Sequence, residues 1–367
     1  MNKDFIKKMT DYIDDPEIKN TIDRISDNFD RVERMTQQRR QPDGHKTRAQ
    51  DLMTSLDPAY LTTMDKYAGQ LGLVLSGGGA KGSYQVGVCK ALEELGILAH
   101  PEAGTLQTGL HISGLAGTSA GALNAALFAG GDALLAQSVW SSLEKARIQG
   151  QDGFFGPSDD NDRYLEDMIR KCGVLSKITP ESLPALVTAF DYDRAYPKDF
   201  LLNTMSEEDK VRSLLASAAF PFAFKERVIQ GIKYIDGGVP LFGSNIPVAP
   251  LYYLGFRKFI VIHCYSKAEG LGFAFLDKLN LKVNQEEYFN GSILVHIYPS
   301  RNLGGIFEGT LNFDHDYIMK NIELGYNDMY KAVKDLSILS EDIGDYDEVH
   351  MVNGTRLRSF SDVLDHK

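Results

Sequence analysis

Cysteine, tryptophan and long apolar runs are all scarce in this chain. Of 367 residues, three are cysteine and one is tryptophan. Cys89, Cys172 and Cys264 lie far apart with no CxxC pair, which argues against a disulfide framework and against a zinc site built on cysteines. A reducing compartment fits this usage. Positive charge is also in deficit, with 39 Lys+Arg against 50 Asp+Glu and a formal net charge of −11. Nucleic-acid binders need a basic surface, so no nucleic-acid partner is expected. Strong electrostatic attraction to anionic lipid is not expected either. The opening MNKDFIKKMTDYIDD holds no apolar run, so no signal peptide is expected. The longest nearly uncharged stretch, Gly109 to Gly131, is rich in small residues and includes His111 and Asn124, which disfavours a membrane span. These absences together point to a cytoplasmic protein.

What remains is the composition of a globular protein, 43% hydrophobic and 24% charged. The chain is long enough to bury a substantial core without covalent staples. It divides into three parts. Residues 1–68 are highly charged. Asp15-Pro16 is a good helix start, and Ile18, Ile22, Ile25, Phe29 and Val32 then make one narrow apolar stripe. Such a helix packs on a main domain, or docks to a partner or a membrane. Gln37 to Gln50 reads as a linker. Residues 69–334 read as the main domain, and residues 335–367 as a polar tail with eight acidic and three basic residues.

Within the middle part, elements alternate. Leu71 to Leu75 (LGLVL) is a short strand. A glycine turn follows, then a helix with Tyr84, Val88, Ala91, Leu92 and Leu95 on one face. The unit repeats as a strand from Ile112 to Ala116, a turn from Gly117 to Gly121 and a small-residue helix from Ala122 to Ala129. Further strands are expected at Leu186 to Phe190, Phe200 to Asn203, Phe259 to Cys264 and Ile293 to Ile297. Val228 to Ile235 reads as a hairpin around Gln230-Gly231. A helix is expected near Asp316 to Lys334, with Ile318, Ile322, Met329 and Val333 inward. This order predicts an α/β fold with a mainly parallel central sheet.

Three places carry chemical signals. Gly117-Thr118-Ser119-Ala120-Gly121 is a GxSxG pentapeptide between strand and helix. There Ser119 would project its hydroxyl at a helix start, with small neighbours that let the elements pack closely. A turn without chemistry has the same composition. Ser76-Gly77-Gly78-Gly79-Ala80-Lys81-Gly82 presents bare backbone N–H groups, suited to an oxyanion. Gly77, Gly79 and Gly82 also satisfy the dinucleotide fingerprint, but its acidic partner would be Glu102, with no apolar strand before it. Lys81 either positions the loop or faces solvent. For a base, Asp236 in Asp236-Gly237-Gly238 follows a strand, and the same three residues also make an ordinary tight turn. His263 and His296 sit in apolar runs and read as core residues, whereas His315 stays open as a triad histidine.

GGGAKG, GTSAG and DGG in that order resemble the patatin-like phospholipase family. Ala216-Ser217-Ala218-Ala219-Phe220-Pro221-Phe222-Ala223-Phe224 is similar to the family's A-S-x-A-x-P-x-x-F segment. Asn245-Ile246-Pro247 and the strand from Phe259 resemble its continuation. The likeness spans Leu71 to Cys264, with a looser match near Tyr317. It implies a three-layer α/β/α fold and a Ser–Asp dyad with Ser119 as nucleophile and Asp236 as base. The amides of Gly77, Gly78 and Gly79 form the implied oxyanion hole, supported by Lys81, Gly82, Gly117, Gly121, Gly237 and Gly238. The implied substrates are acyl esters of phospholipids or lysophospholipids, met in peripheral contact with a membrane. No cofactor is expected. No ligands are spaced for calcium, so hydrolysis is expected to be calcium-independent. Phe220, Pro221 and Phe222 are a candidate acyl pocket, as readily core as site, and Phe154 and Phe155 read as loop anchors or lid residues. An acyltransferase or thioesterase would use the same dyad. A nucleotide-binding module would use Gly77 to Gly82, and a regulatory protein would keep the site without its activity.

Overall fold

The computed structural model describes residues 48–56, 70–98, 110–143, 158–220, 223–239, 243–266 and 289–365. The apolar stripe between Ile18 and Val32, the loop carrying Phe154 and Phe155, Glu102, Pro221 and Phe222 lie outside them. In chain order the elements are α1 (Arg48–Ser55), β1 (Leu71–Leu75), α2 (Ser83–Glu94), β2 (Ile112–Thr118), α3 (Ala120–Gly130), α4 (Ala133–Ser141) and α5 (Asp159–Lys171). Then come β3 (Ala185–Asp191), β4 (Tyr196–Leu201), α6 (Glu207–Ser217), β5 (Arg227–Ile229), β6 (Ile232–Asp236), α7 (Val248–Tyr253), β7 (Lys258–Ile262) and β8 (Ser292–Ile297). The chain ends with α8 (His315–Ala332), β9 (Glu348–Val352), β10 (Thr355–Leu357) and α9 (Phe360–Asp365).

One ten-stranded sheet runs in the order β10-β9-β8-β7-β1-β2-β3-β6-β5, with β4 beside β3. Six strands, β9, β8, β7, β1, β2 and β3, pair in parallel as neighbours. Both faces are covered, so these strands are mostly buried, and the polar residues they carry, such as His296, His350 and Thr188, are buried with them. Leu71, Leu73 and Leu75 of β1 join the core beneath α2, α3, α4 and α8. Val74 points the other way, into a second core with Leu52 of α1, Leu251 of α7 and Phe256. The result is helix, sheet, helix: the three-layer α/β/α architecture. Helices α2 and α8 pack through Gly87 and Gly325, where a Cβ would strike the Ile322 and Tyr84 carbonyls of the opposite helix.

The hairpin is as expected, with β5 and β6 antiparallel around Gln230 and Gly231, both at positive φ. Two expectations are corrected. The stretch read as a linker up to Gln50 already contains the start of α1. The Arg48 guanidinium grips Asp199 of β4 with Nε–Oδ2 at 2.7 Å and Nη2–Oδ1 at 2.8 Å. Lys198 and the Tyr196 hydroxyl both reach Asp51, at 2.7 Å each. The residues read as a polar tail from Asp335 supply β9 and β10, and β9 pairs in parallel with β8 in full register. The acidic count misled because these carboxylates are used internally. Asp335 accepts from the Gly354 amide, and Glu348 from the Phe289 amide and from His350.

Asp199 is almost wholly buried, so removing its cation leaves a charge without compensation. Arg48→Ala is expected to destabilise the fold by about 3 kcal/mol in urea denaturation.

Candidate active site

Strand β3 places the site. Its residues 186–191 pair along one edge with β4. The other edge is shared: β2 takes residues 185–188 in parallel, and β6 takes residues 189–191 antiparallel. The two strands therefore run toward each other and end at adjacent positions, Thr118 opposite Thr188 and Asp236 opposite Ala189. The residue after Thr118 is Ser119.

Ser119 has φ 55 and ψ −124, a left-handed conformation that L-residues rarely adopt. It joins β2 to α3 with no spare residue. A Cβ on Gly117 would collide with the Gly121 carbonyl, and one on Gly121 with the Leu75 carbonyl, so both glycines of the pentapeptide are needed for packing. Ser119 is only 8% exposed, at the start of α3.

Asp236 is 3% exposed. Its Oδ1 accepts from the Gly238 amide at 2.7 Å. Burial raises its carboxyl from 3.8 to about 6, opposed by the Ser119 hydroxyl and the Gly238 amide. Although Ser119 is near enough to act on the carboxylate, Oδ2 has no neighbour in full hydrogen-bond geometry.

The glycine loop lies alongside. The Gly77 amide donates to the Asn245 carbonyl at 3.0 Å, so it is not free for an oxyanion. That removes one of the three donors expected from the sequence. The Gly78 and Gly79 amides have no acceptor among the described residues. Gly79 is at φ +57, and a Cβ there would meet the Thr310 carbonyl, while one on Gly78 would meet Cys264.

The family model for patatin-like phospholipase matches residues 73–252. The chain carries a patatin-like phospholipase domain. Among solved structures, VipD from Legionella pneumophila is similar over 72% of this chain and 67% of its own, at 15% identity and a TM-score of 0.44. No curated protein matches.

Other sequence candidates fall on either side of this patatin-like site. Lys81 is buried and does not face solvent; its Cε runs against Gly309. Gly82 packs on Ala120 and Trp140, and Gly237 on the Thr188 carbonyl. His315 is exposed at the start of α8, with Nδ1 3.1 Å from the Ser141 carbonyl, and belongs to no triad. His263 and His296 are buried 2.9 Å apart, as core histidines. Phe224 packs on the main core and Phe220 is half-buried.

Two residues of the site passed unassigned in the sequence, though both lay within motifs of the resemblance. The Ser217 Oγ accepts from the Ser119 amide at 2.9 Å. The Asn245 side chain wedges between the two loops, its Oδ1 2.5 Å from where a Cβ on Gly77 or on Gly238 would stand.

The buried Asp236 carries a cost. Its native carboxyl keeps a proton to higher pH than the unfolded one, between 3.8 and about 6. Its contribution therefore favours the fold below about pH 4, fades as pH rises to about 6 and stays lost above, at about 3 kcal/mol. Asp236→Asn is expected to be the more stable protein at pH 7, by up to about 3 kcal/mol in urea titrations, with the advantage vanishing near pH 4.

Proposed function

We propose that the patatin-like domain is a serine lipid acyl hydrolase, of phospholipase A or lysophospholipase type, that works through Ser119 and Asp236. The observation that carries this reading is the meeting of a strained, buried serine with a buried carboxylate whose second oxygen has no settled partner. Desolvation lifts that carboxylate toward neutrality, which makes it a stronger base than an exposed Asp.

Asp236 Oδ2 takes the Ser119 proton as Oγ attacks the ester carbonyl. The new alkoxide is held by the Gly78 and Gly79 amides. Collapse of the tetrahedral adduct breaks the ester C–O bond. The proton on Asp236 passes to the departing alcohol or lysolipid, leaving an acyl-Ser119. Water then attacks the acyl carbon, giving its proton to Asp236, and Ser119 leaves with that proton. No step calls on calcium. Among the described residues no helix is long and apolar enough to cross a membrane. In this reading the lipid substrate is met in peripheral contact with a bilayer.

The test is a p-nitrophenyl acyl ester series, followed by phospholipid and lysophospholipid vesicles with and without EDTA. Wild type should release acid in both conditions, and Ser119→Ala and Asp236→Asn should each lose at least about 10³-fold in kcat/KM. Because the base must be ionised, kcat/KM should fall about tenfold per pH unit below about 6. Activity that survives both substitutions would sink the dyad. His315→Ala should keep most activity.

A further inference from the structure

We propose that Ser217 is a positioning residue that holds both members of the dyad in register; this rests on the Ser119–Asp236 reading. Ser217 is the last residue of α6 and is fully buried. A serine in a helix usually turns its hydroxyl back to a carbonyl of its own helix or out to water. Ser217 does neither. Its hydroxyl donates to the Thr188 carbonyl of β3 at 2.7 Å. A hydroxyl has one proton and two lone pairs, so with the proton committed to Thr188 only a lone pair can face the Ser119 amide. That amide donates to it at 2.9 Å. The same residue reaches the other half of the dyad through its backbone, where its carbonyl accepts from the Gly237 amide at 3.3 Å. Two residues on, the Ala219 carbonyl accepts from the Asp236 amide at 3.1 Å.

One short segment therefore ties the nucleophile elbow, the end of β6 and the middle of β3 together. The need for it follows from Ser119. A non-glycine residue at positive φ lies in a costly conformation that persists only when its surroundings over-determine it. The Ser119 amide is the group whose direction that φ controls, and Ser217 Oγ is its partner. Without the hydroxyl, two buried backbone groups lose their partner together: the Ser119 N–H and one contact of the Thr188 carbonyl. The elbow is then free to relax, and the Ser119 hydroxyl moves off the Asp236 carboxylate. The bond also removes the Ser119 amide from the oxyanion donors, which leaves that role to Gly78 and Gly79.

The test pairs two isosteric substitutions, Ser217→Thr and Ser217→Val, which differ only in the hydroxyl, with Ser217→Ala as the variant that adds no volume. Each is assayed on p-nitrophenyl esters and for the rate at which a fluorophosphonate probe labels Ser119, normalised to the folded fraction by circular dichroism. Ser217→Ala should lower kcat by about 10²-fold with KM nearly unchanged, and should slow phosphonylation in parallel. Ser217→Thr should exceed Ser217→Val by a similar factor in both readouts. Equal rates for Thr and Val, or an Ala variant with wild-type kcat, would overturn the assignment. Ser119→Ala and Asp236→Asn are run beside them. If those two lose activity while Ser217→Ala does not, only the positioning role fails. If those two keep activity, the dyad itself fails.

Discussion

Strand β3 offers one of its edges to two strands that approach from opposite directions. A sheet edge has room for only one partner at each residue, so β2 must end where β6 ends. That constraint brings the residue after Thr118 and the last residue of β6 together without any long-range design in either loop. The rest of the site accommodates this junction. The chain cannot continue straight past Thr118, because β6 occupies the next position on the edge. It turns sharply into α3, and the turn forces Ser119 to positive φ. The glycines on either side, and the Gly237 contact with the Thr188 carbonyl, are the room that the junction requires.

A second consequence is electrostatic. The Asp236 carboxylate at the end of β6 is buried, so water solvates it poorly. Backbone donors compensate only in part, because the Gly238 amide serves one oxygen and leaves the other to its neighbour Ser119. Burial that costs stability therefore also confers basicity, and the two cannot be separated by substitution at Asp236 alone. Reading the site as a hydrolase gives this cost a purpose: a dyad without histidine needs its carboxylate moved toward neutral pH, and desolvation is the means within reach.

How much of this could be read from the sequence depended on whether a signal was local. The LGLVL strand, the GxSxG turn and the Gln230-Gly231 hairpin each carry their geometry within a few residues, and each stands where it was expected. The commitment of the Gly77 amide to Asn245 was not legible, because it joins residues far apart in sequence and involves backbone atoms common to every residue type. Ser217 lay in a segment already quoted for its likeness, yet nothing in A-S-x-A says which way a hydroxyl points. The region after Asp335 failed for another reason. Counting its acidic residues treated each as solvated, whereas Glu348 and Asp335 are buried acceptors. A local signal was present there too: Asn353-Gly354, both at positive φ, makes the β9–β10 hairpin.

The far half of the sheet shows the same principle in polar form. His263, His296 and His350 lie in a buried row with inter-ring hydrogen bonds of 2.9 and 2.8 Å, ending on Glu348. These links tie the residue after β7 to β8 and β9 through buried side chains. His263 is followed by Cys264, whose amide donates to the Ser76 hydroxyl at 3.0 Å, directly before the glycine loop. The glycine loop thus rests on a strand that is fixed from one side by β1 and from the other by this row. The residues read as a tail help to hold that loop in place.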